Sequence, residues 1–136
     1  MVVLFGVFLA ACGPGLDPSI AGTWRGNAAY SFSGLATQNV GASVIVSVTV
    51  DQARIVGMCP DGGGSLVVQG AADRATWSGT TACPPVPFGG CGAVALTYTS
   101  AALTHGSGDT ITIEGAGYGD GCGTRRSLSV SFFGTR

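Results

Sequence analysis

Lysine is absent from the chain, and charged side chains of either sign are few. Six arginines and seven acidic residues give a formal net charge of -1. Proteins that bind nucleic acid neutralise phosphates with clustered Lys and Arg, and anionic lipid surfaces attract polybasic segments in the same way. The sequence therefore argues against a nucleic-acid partner, and any membrane attachment has to come from acyl chains or an inserted segment.

The chain also lacks a long run of strong helix formers and any apolar stretch of the about 20 residues that a membrane-spanning helix needs. It has instead 24 glycines among 136 residues, together with abundant Val, Ser and Thr. This composition favours strands joined by turns. Since the length suits one domain, we predict a single all-β domain over residues 21–136.

The N-terminal segment has the features of an export signal. Residues 1–11 are almost entirely apolar and lead into Leu9-Ala10-Ala11-Cys12, and a short apolar core before a small-residue site is typical of a cleavable signal peptide. Leu9-Ala10-Ala11-Cys12 resembles the lipobox of bacterial lipoproteins, in which cleavage precedes a cysteine that is then acylated. The resemblance implies a signal peptide at 1–11 and a lipidated Cys12 on a flexible tether at 12–20.

Two observations bear on this resemblance. No Lys or Arg precedes the apolar run, although signal peptides usually begin with positive charge. The alternative to lipidation is that Cys12 is an ordinary buried thiol at the end of a first strand.

Acylation would also set the location of the protein. Two or three acyl chains anchor a protein durably, because each buried methylene contributes about 0.8 kcal/mol. In lipoproteins of the enterobacterial type, Asp directly after the cysteine favours retention in the inner membrane, and this chain has Gly13 there. The resemblance therefore implies a bacterial cell-envelope protein, anchored in the outer membrane by acyl chains on Cys12.

Beyond the tether, eight segments alternate apolar and polar residues between Gly, Pro, Asp and Asn. In the clearest, the four valines between residues 44 and 50 share a face opposite Ser47 and Thr49. One apolar and one polar face is the antiparallel pattern. We predict a small eight-stranded antiparallel up-and-down barrel, with a β-sandwich as the alternative. The predicted strands are 21–32, 43–50, 53–59, 64–70, 74–82, 92–104, 110–118 and 126–134.

A hairpin turn at Gly106 and Ser107 would fix the register of the sixth and seventh strands. That register sets Tyr98 opposite Gly115, where an aromatic ring fills the gap that a cross-strand glycine leaves. It also sets Ala102 opposite Ile111, and it brings Cys91 level with Cys122.

The links between the predicted strands fall into two sets. Those near residues 51, 71 and 107 are short, and those at 33–42, 59–63, 83–91 and 119–125 are longer. In a meander the two sets lie at opposite ends of the barrel. Because the tether enters at the short-turn end, the long loops should face away from the membrane.

Four cysteines lie in or beside these long loops: Cys59, Cys83, Cys91 and Cys122. An exported chain favours disulfides. Of the three connectivities, Cys59–Cys83 with Cys91–Cys122 joins neighbouring loops, whereas a Cys83–Cys91 bridge would force the other pair to reach across the barrel mouth. We predict the first. A four-cysteine zinc site is the alternative, but such sites use closely spaced cysteine pairs that this chain lacks. We therefore expect no metal and no cofactor.

The only histidine lies in His105-Gly106-Ser107-Gly108-Asp109, a pattern that invites comparison with a hydrolase. A tight glycine turn at the short-turn end offers no pocket to orient a nucleophile. The acidic residues are scattered, and they form no pair for acid–base chemistry. We predict no catalytic residue.

Two short segments resemble known barrels. Gly22-Thr23-Trp24 is similar to the opening of lipocalin-like and avidin-like barrels, and Thr76-Trp77-Ser78-Gly79 is similar to a strand of bacterial avidins. The resemblance implies a meander barrel but not biotin binding, because avidin-type pockets need more tryptophans. The inward residues either fill the core or contact a ligand; these are Trp24, Tyr30, Phe32, Trp77, Leu96, Tyr98, Ile113 and Phe132.

These features favour a lipid-anchored, non-catalytic binding module for a small apolar ligand or an envelope partner. Eight strands enclose little more than the volume of their own side chains. The alternative is therefore a structural component of the envelope or surface, with a fully packed barrel.

Overall fold

The computed structural model describes residues 15–136, so the predicted signal peptide and Cys12 lie outside the described residues. Two 3-10 turns occur at Pro18–Ile20 and Gly89–Cys91, and no helix among residues 15–136 is long and apolar enough to cross a membrane. The strands are β1 (Gly22–Phe32), β2 (Gln38–Thr49), β3 (Gln52–Val56), β4 (Ser65–Ala71), β5 (Arg74–Ala82), β6 (Val86–Pro87), β7 (Ala93–Gly106), β8 (Thr110–Gly121) and β9 (Thr124–Thr135).

Eight of these strands form one antiparallel up-and-down barrel. Each strand from β1 to β5 pairs with the next in sequence, as do β7, β8 and β9, and the β5–β7 and β1–β9 pairings close the ring. The short β6 pairs only with β7. The predicted eight-stranded barrel is thus confirmed, and the sandwich alternative is wrong.

The polar–apolar alternation located most strands to within a few residues, but three connections differ from prediction. The expected loop at 33–42 spans only residues 33–37, because β2 begins at Gln38. The expected loop at 119–125 is a two-residue turn at Cys122 and Gly123, both with positive φ, as favoured hairpin turns require. The chain between β7 and β8 turns at 107–109, so β8 pairs three residues out of the predicted register, with Ala102 opposite Glu114. The placement of Ala102 opposite Ile111 is therefore wrong.

Residues 15–20 close the short-turn end of the barrel. Leu16 forms a parallel bridge to Ala72, and its amide donates to the carbonyl of Val50 at 2.7 Å. Ile20 is completely buried, and its carbonyl accepts a 2.9 Å hydrogen bond from the Trp24 indole. The prediction of a flexible tether is therefore wrong for residues 15–20, because the apolar Leu16 and Ile20 pack into the end of the barrel.

Candidate functional site

Seven of the eight predicted inward residues belong to the hydrophobic core. Each is at most 4% exposed, and together they occupy the barrel interior; they are Trp24, Tyr30, Phe32, Leu96, Tyr98, Ile113 and Phe132. The inward-facing glycines of β8 leave room for these side chains. A β-carbon at Gly119, for example, would collide with the ring of Phe32. Side chains therefore fill the interior.

The long-loop end is closed by a buried aromatic cluster. Phe88, from the loop between β5 and β7, packs edge-on against Phe32 and Tyr30, with ring centroids 4.9 and 5.8 Å apart. The hydroxyls of Tyr98 and Tyr30 donate to the carbonyl of Met58 at 2.7 and 3.4 Å. Burial raises the pKa of Tyr30 to about 12 and that of Tyr98 further above its ordinary value. This end excludes water.

Both predicted disulfides are present. Cys59 is bonded to Cys83, and Cys91 is bonded to Cys122. The two bonds use the four thiols that the zinc alternative requires. Among residues 15–136, no group of three or more His, Cys, Asp or Glu side chains is arranged to hold a metal ion.

The His105 segment does not bring histidine, serine and acid together. His105 is largely buried at the end of β7, where its Nδ1 lies 3.7 Å from Oδ2 of Asp17 and its ring meets that of Trp24 edge-on. Asp109 is bound by Arg136, and this hydrogen bond lowers the pKa of Asp109. The Asp17 pKa is lowered chiefly by a hydrogen bond from the Ser19 amide. These contacts hold together the turns and the N-terminal segment at this end.

The barrel wall is incomplete between β4 and β5. Their ladder contains three pairs, from Ala71 with Arg74 to Gln69 with Thr76, although both strands continue beyond it. Residues 65–68 of β4 and 77–82 of β5 are not paired with each other, and we call this unpaired stretch the seam. The β4–β5 turn bounds the seam at one end, and the Cys59–Cys83 disulfide ties the strands across the other.

A bulge in β5 accompanies this loss of pairing. The pairing of β5 with β7 shifts register between Ser78 and Thr81, and such bulges bend and twist a strand. Trp77 lies one residue before this bulge, in the last regularly paired part of β5. Its side chain is only partly buried, packs against the core and lies beside Gly79, where a β-carbon would stand 2.9 Å from Cζ2 of the indole. Trp77 is therefore the one predicted inward residue that is placed differently from the rest.

A cleft of about 840 Å³ opens on the outer wall at the seam, within the range of about 300–1,000 Å³ typical of ligand pockets. Its lining combines one indole, two carboxamides, two hydroxyls and one carboxylate with small and apolar groups: Asp51, Gln52, Val67, Gln69, Gly70, Thr76, Trp77 and Ser78. Three smaller cavities of at most about 350 Å³ lie elsewhere in the described part of the chain. The cleft is the candidate functional site.

Sequence reasoning selected Trp77 only as an inward residue that fills the core or contacts a ligand, and it missed the residues around it. Val67, Gln69 and Ser78 alternate outward on predicted strands, and Gln52 lies in the predicted link between two strands. All four were therefore interpreted as ordinary solvent-facing positions. The one available signal was Gly79 inside a strand pattern, since an isolated strand glycine often marks a bulge.

Comparison of the chain with protein-family models, with curated proteins and with solved structures finds no match.

Proposed function

We propose that the chain is an envelope lipoprotein, held in the outer membrane by acyl chains on Cys12, with a barrel that serves as a non-catalytic binding module. The lipobox resemblance supports the anchor, and two disulfides suit an oxidising compartment. Residues 15–20 pack into the short-turn end, and Cys12 lies only three positions before Gly15 in the sequence. The short-turn end would therefore lie close to the membrane, and the disulfide-bonded end would project away from it.

The observation that carries the binding proposal is the contrast between the filled interior and the open seam. The largest interior side chains are less than 2% exposed, so a ligand in the lumen would have to displace them. The cleft beside Trp77 offers about 840 Å³ without any displacement. An envelope partner that binds at the wall is therefore the better of the two ligand classes that the sequence suggests, the other being a small apolar ligand.

The second candidate is a structural component of the envelope. The filled interior favours it as well, and so do apolar side chains on the outer wall. Ile45 on β2 is 51% exposed, and Phe133 on β9 is 54% exposed. A structural component would use such outer contacts and would not depend on the cleft.

Site-specific photo-crosslinking in the producing cell separates the two candidates. A benzophenone amino acid replaces Ser78 in the cleft, and a matched variant carries it at Asn27, which is exposed on β1 and lines no cavity described above. A binding module predicts a discrete adduct from position 78 and none from position 27. Adducts from position 27 alone, or none from either, would contradict the binding proposal.

The anchor has its own test. Cells are grown with an alkyne analogue of palmitate, and wild type is compared with Cys12→Ala. We expect label on the wild type and none on the variant. Equal labelling of the two proteins would contradict lipidation at Cys12.

A further inference from the structure

The seam leaves backbone hydrogen-bonding groups of β4 without partners. The amide of Gly70 donates to the carbonyl of Asp51 at 2.9 Å, so Gly70 faces β3. Backbone groups alternate in direction along a strand; those of Ser65 and Val67 therefore face β5. Among residues 15–136, no strand pairs with them on that side.

The edge of β5 across the seam is also free. The carbonyl of Asp73 accepts from the amide of His105 at 2.8 Å, so Asp73 faces β7. By alternation Trp77 faces β7 as well, and Ser78 faces β4. Within the described part of the chain, the β4–β5 ladder ends at Thr76, two residues before Ser78.

The edge of β4 carries none of the features that usually prevent strand addition, whereas β5 has the bulge between Ser78 and Thr81. Exposed edges are commonly protected by proline or by charged side chains. Neither residues 65–68 nor residues 77–82 include a proline or a charged residue. Val67 in addition projects outward and is 45% exposed. Val67 also lines the cleft, so an extended chain in the cleft could reach the edge of β4.

We propose that the seam binds an extended peptide segment of an envelope partner, which adds as a strand to the free edge of β4. This inference rests on the proposed function. Alternating N–H and C=O groups along a strand edge match a peptide backbone, and alternate side chains then supply specificity. The peptide side chains on one face of the added strand would meet Trp77, and those on the other face would lie beside Val67 and Gln69. Asp51 is the only charged residue that lines the cleft, and it lies beside Gly70, near the β4–β5 turn. It therefore favours a basic side chain of the peptide at the turn end of the seam.

The test begins with selection of a ligand. A phage-displayed library of short linear peptides is panned against the mature acylated protein in detergent micelles, and the enriched peptides are synthesised. Their affinity is measured for wild type, Val67→Pro and Val67→Thr. Proline removes the Val67 N–H, which has no ladder partner, whereas threonine retains it. We expect Val67→Pro to weaken binding about tenfold and Val67→Thr to change it little.

A second measurement uses the wild-type protein, so it does not depend on how the proline variant folds. Each peptide is made in two forms, with alternate amides N-methylated in opposite phase. Only alternate amides of an added strand face β4, and the bulge in β5 disrupts a matching ladder on the opposite side. We expect one phase to abolish binding and the other to be tolerated.

Several outcomes would overturn the inference: no enriched peptide, equal sensitivity to both methylation phases, or equal affinity of the folded Val67→Pro and Val67→Thr proteins. Binding of an N-acetylglucosamine oligosaccharide that is lost in Trp77→Ala, without peptide binding, would also overturn it. That last result would leave the proposed binding module intact. The absence of a crosslink from position 78 would instead count against the module itself.

Discussion

The ring of Tyr98 occupies the space that a side chain at Gly115 would need. A β-carbon on Gly115 would stand 2.7 Å from Cε1 of Tyr98, although the residue paired with Tyr98 across the strands is Gly117. The tyrosine ring therefore lies diagonally across β8, and its hydroxyl donates a hydrogen bond to the carbonyl of Met58. This contact shows how the inward glycines make room for large rings inside a small barrel.

Replacing Gly115 with alanine should destabilise the protein. The added methyl would force the buried Tyr98 ring to move, and overpacking of this kind costs about 1–3 kcal/mol. Gly41→Ala is the matched control, because a β-carbon there meets nothing within 4 Å. Urea unfolding measures both, and an equal midpoint for Gly115→Ala and wild type would contradict the packing described here.

Leu16→Ala tests whether the N-terminal segment belongs to the folded domain. Leu16 is 4% exposed at the short-turn end, and truncation of a buried leucine costs about 2–5 kcal/mol. Leu35→Ala provides the control, since Leu35 is 39% exposed. This substitution should change the free energy of unfolding by less than about 0.5 kcal/mol. Similar small effects in the two variants would mean that residues 15–20 act only as a tether.

Removal of the Cys59–Cys83 disulfide should both destabilise the barrel and disturb the seam. The bond spans a sequence separation of 24, for which chain entropy predicts a loss of about 3–4 kcal/mol in Cys59→Ala/Cys83→Ala. Thermal unfolding measures this loss. The control is Cys91→Ala/Cys122→Ala, which should cost a similar amount. Only the first variant should also change the fluorescence of Trp77, and an effect of equal size in both would contradict the assignment of that bond to the seam.

Alkaline pH should destabilise the protein through its two buried tyrosines. Burial raises the pKa of Tyr30 from 10.0 to about 12, and the Tyr98 pKa is also raised. The folded state therefore keeps its tyrosine protons where the unfolded state loses them. The contribution of the two tyrosines to the free energy of unfolding is fully present below about pH 10. It falls as the pH rises toward 12.

The double variant Tyr30→Phe/Tyr98→Phe provides the comparison for this effect. It should be less stable at neutral pH, by about 1 kcal/mol for each lost hydrogen bond. Its free energy of unfolding should fall less steeply than that of wild type above pH 10. Urea unfolding across this pH range measures both slopes, and parallel slopes would contradict the tyrosine assignment.

Local sequence pattern predicted the architecture because this barrel is built almost entirely from neighbouring strands. Alternation along β2 and β9 reports which face is buried, and short turns then leave few other topologies. The disulfide pairs followed from the same meander. Cys91 was paired correctly with Cys122 even though the register assumed for β7 and β8 was wrong. Loop proximity, rather than register, determined that prediction.

The unpredicted features depend on backbone geometry that residue type specifies weakly. The β7–β8 turn was predicted at Gly106 and Ser107 but lies at residues 107–109, and the bulge between Tyr98 and Ser100 then changes the register again. The seam has a similar origin, because the bulge beside Trp77 is marked in the sequence only by Gly79. Leu16 and Ile20 are isolated apolar residues among turn formers, so their packing depends on a barrel end that local pattern does not show.

Amide hydrogen exchange at Val67 and Val68 tests the open seam most directly. These neighbours share one strand, but Val68 faces β3 and is hydrogen-bonded within the sheet, whereas Val67 faces the gap. In an NMR exchange experiment on the native protein, we predict strong protection of the Val68 amide and fast exchange at Val67. Comparable protection of both amides would mean that β4 and β5 are paired along their whole length, and it would contradict the presence of a binding site there.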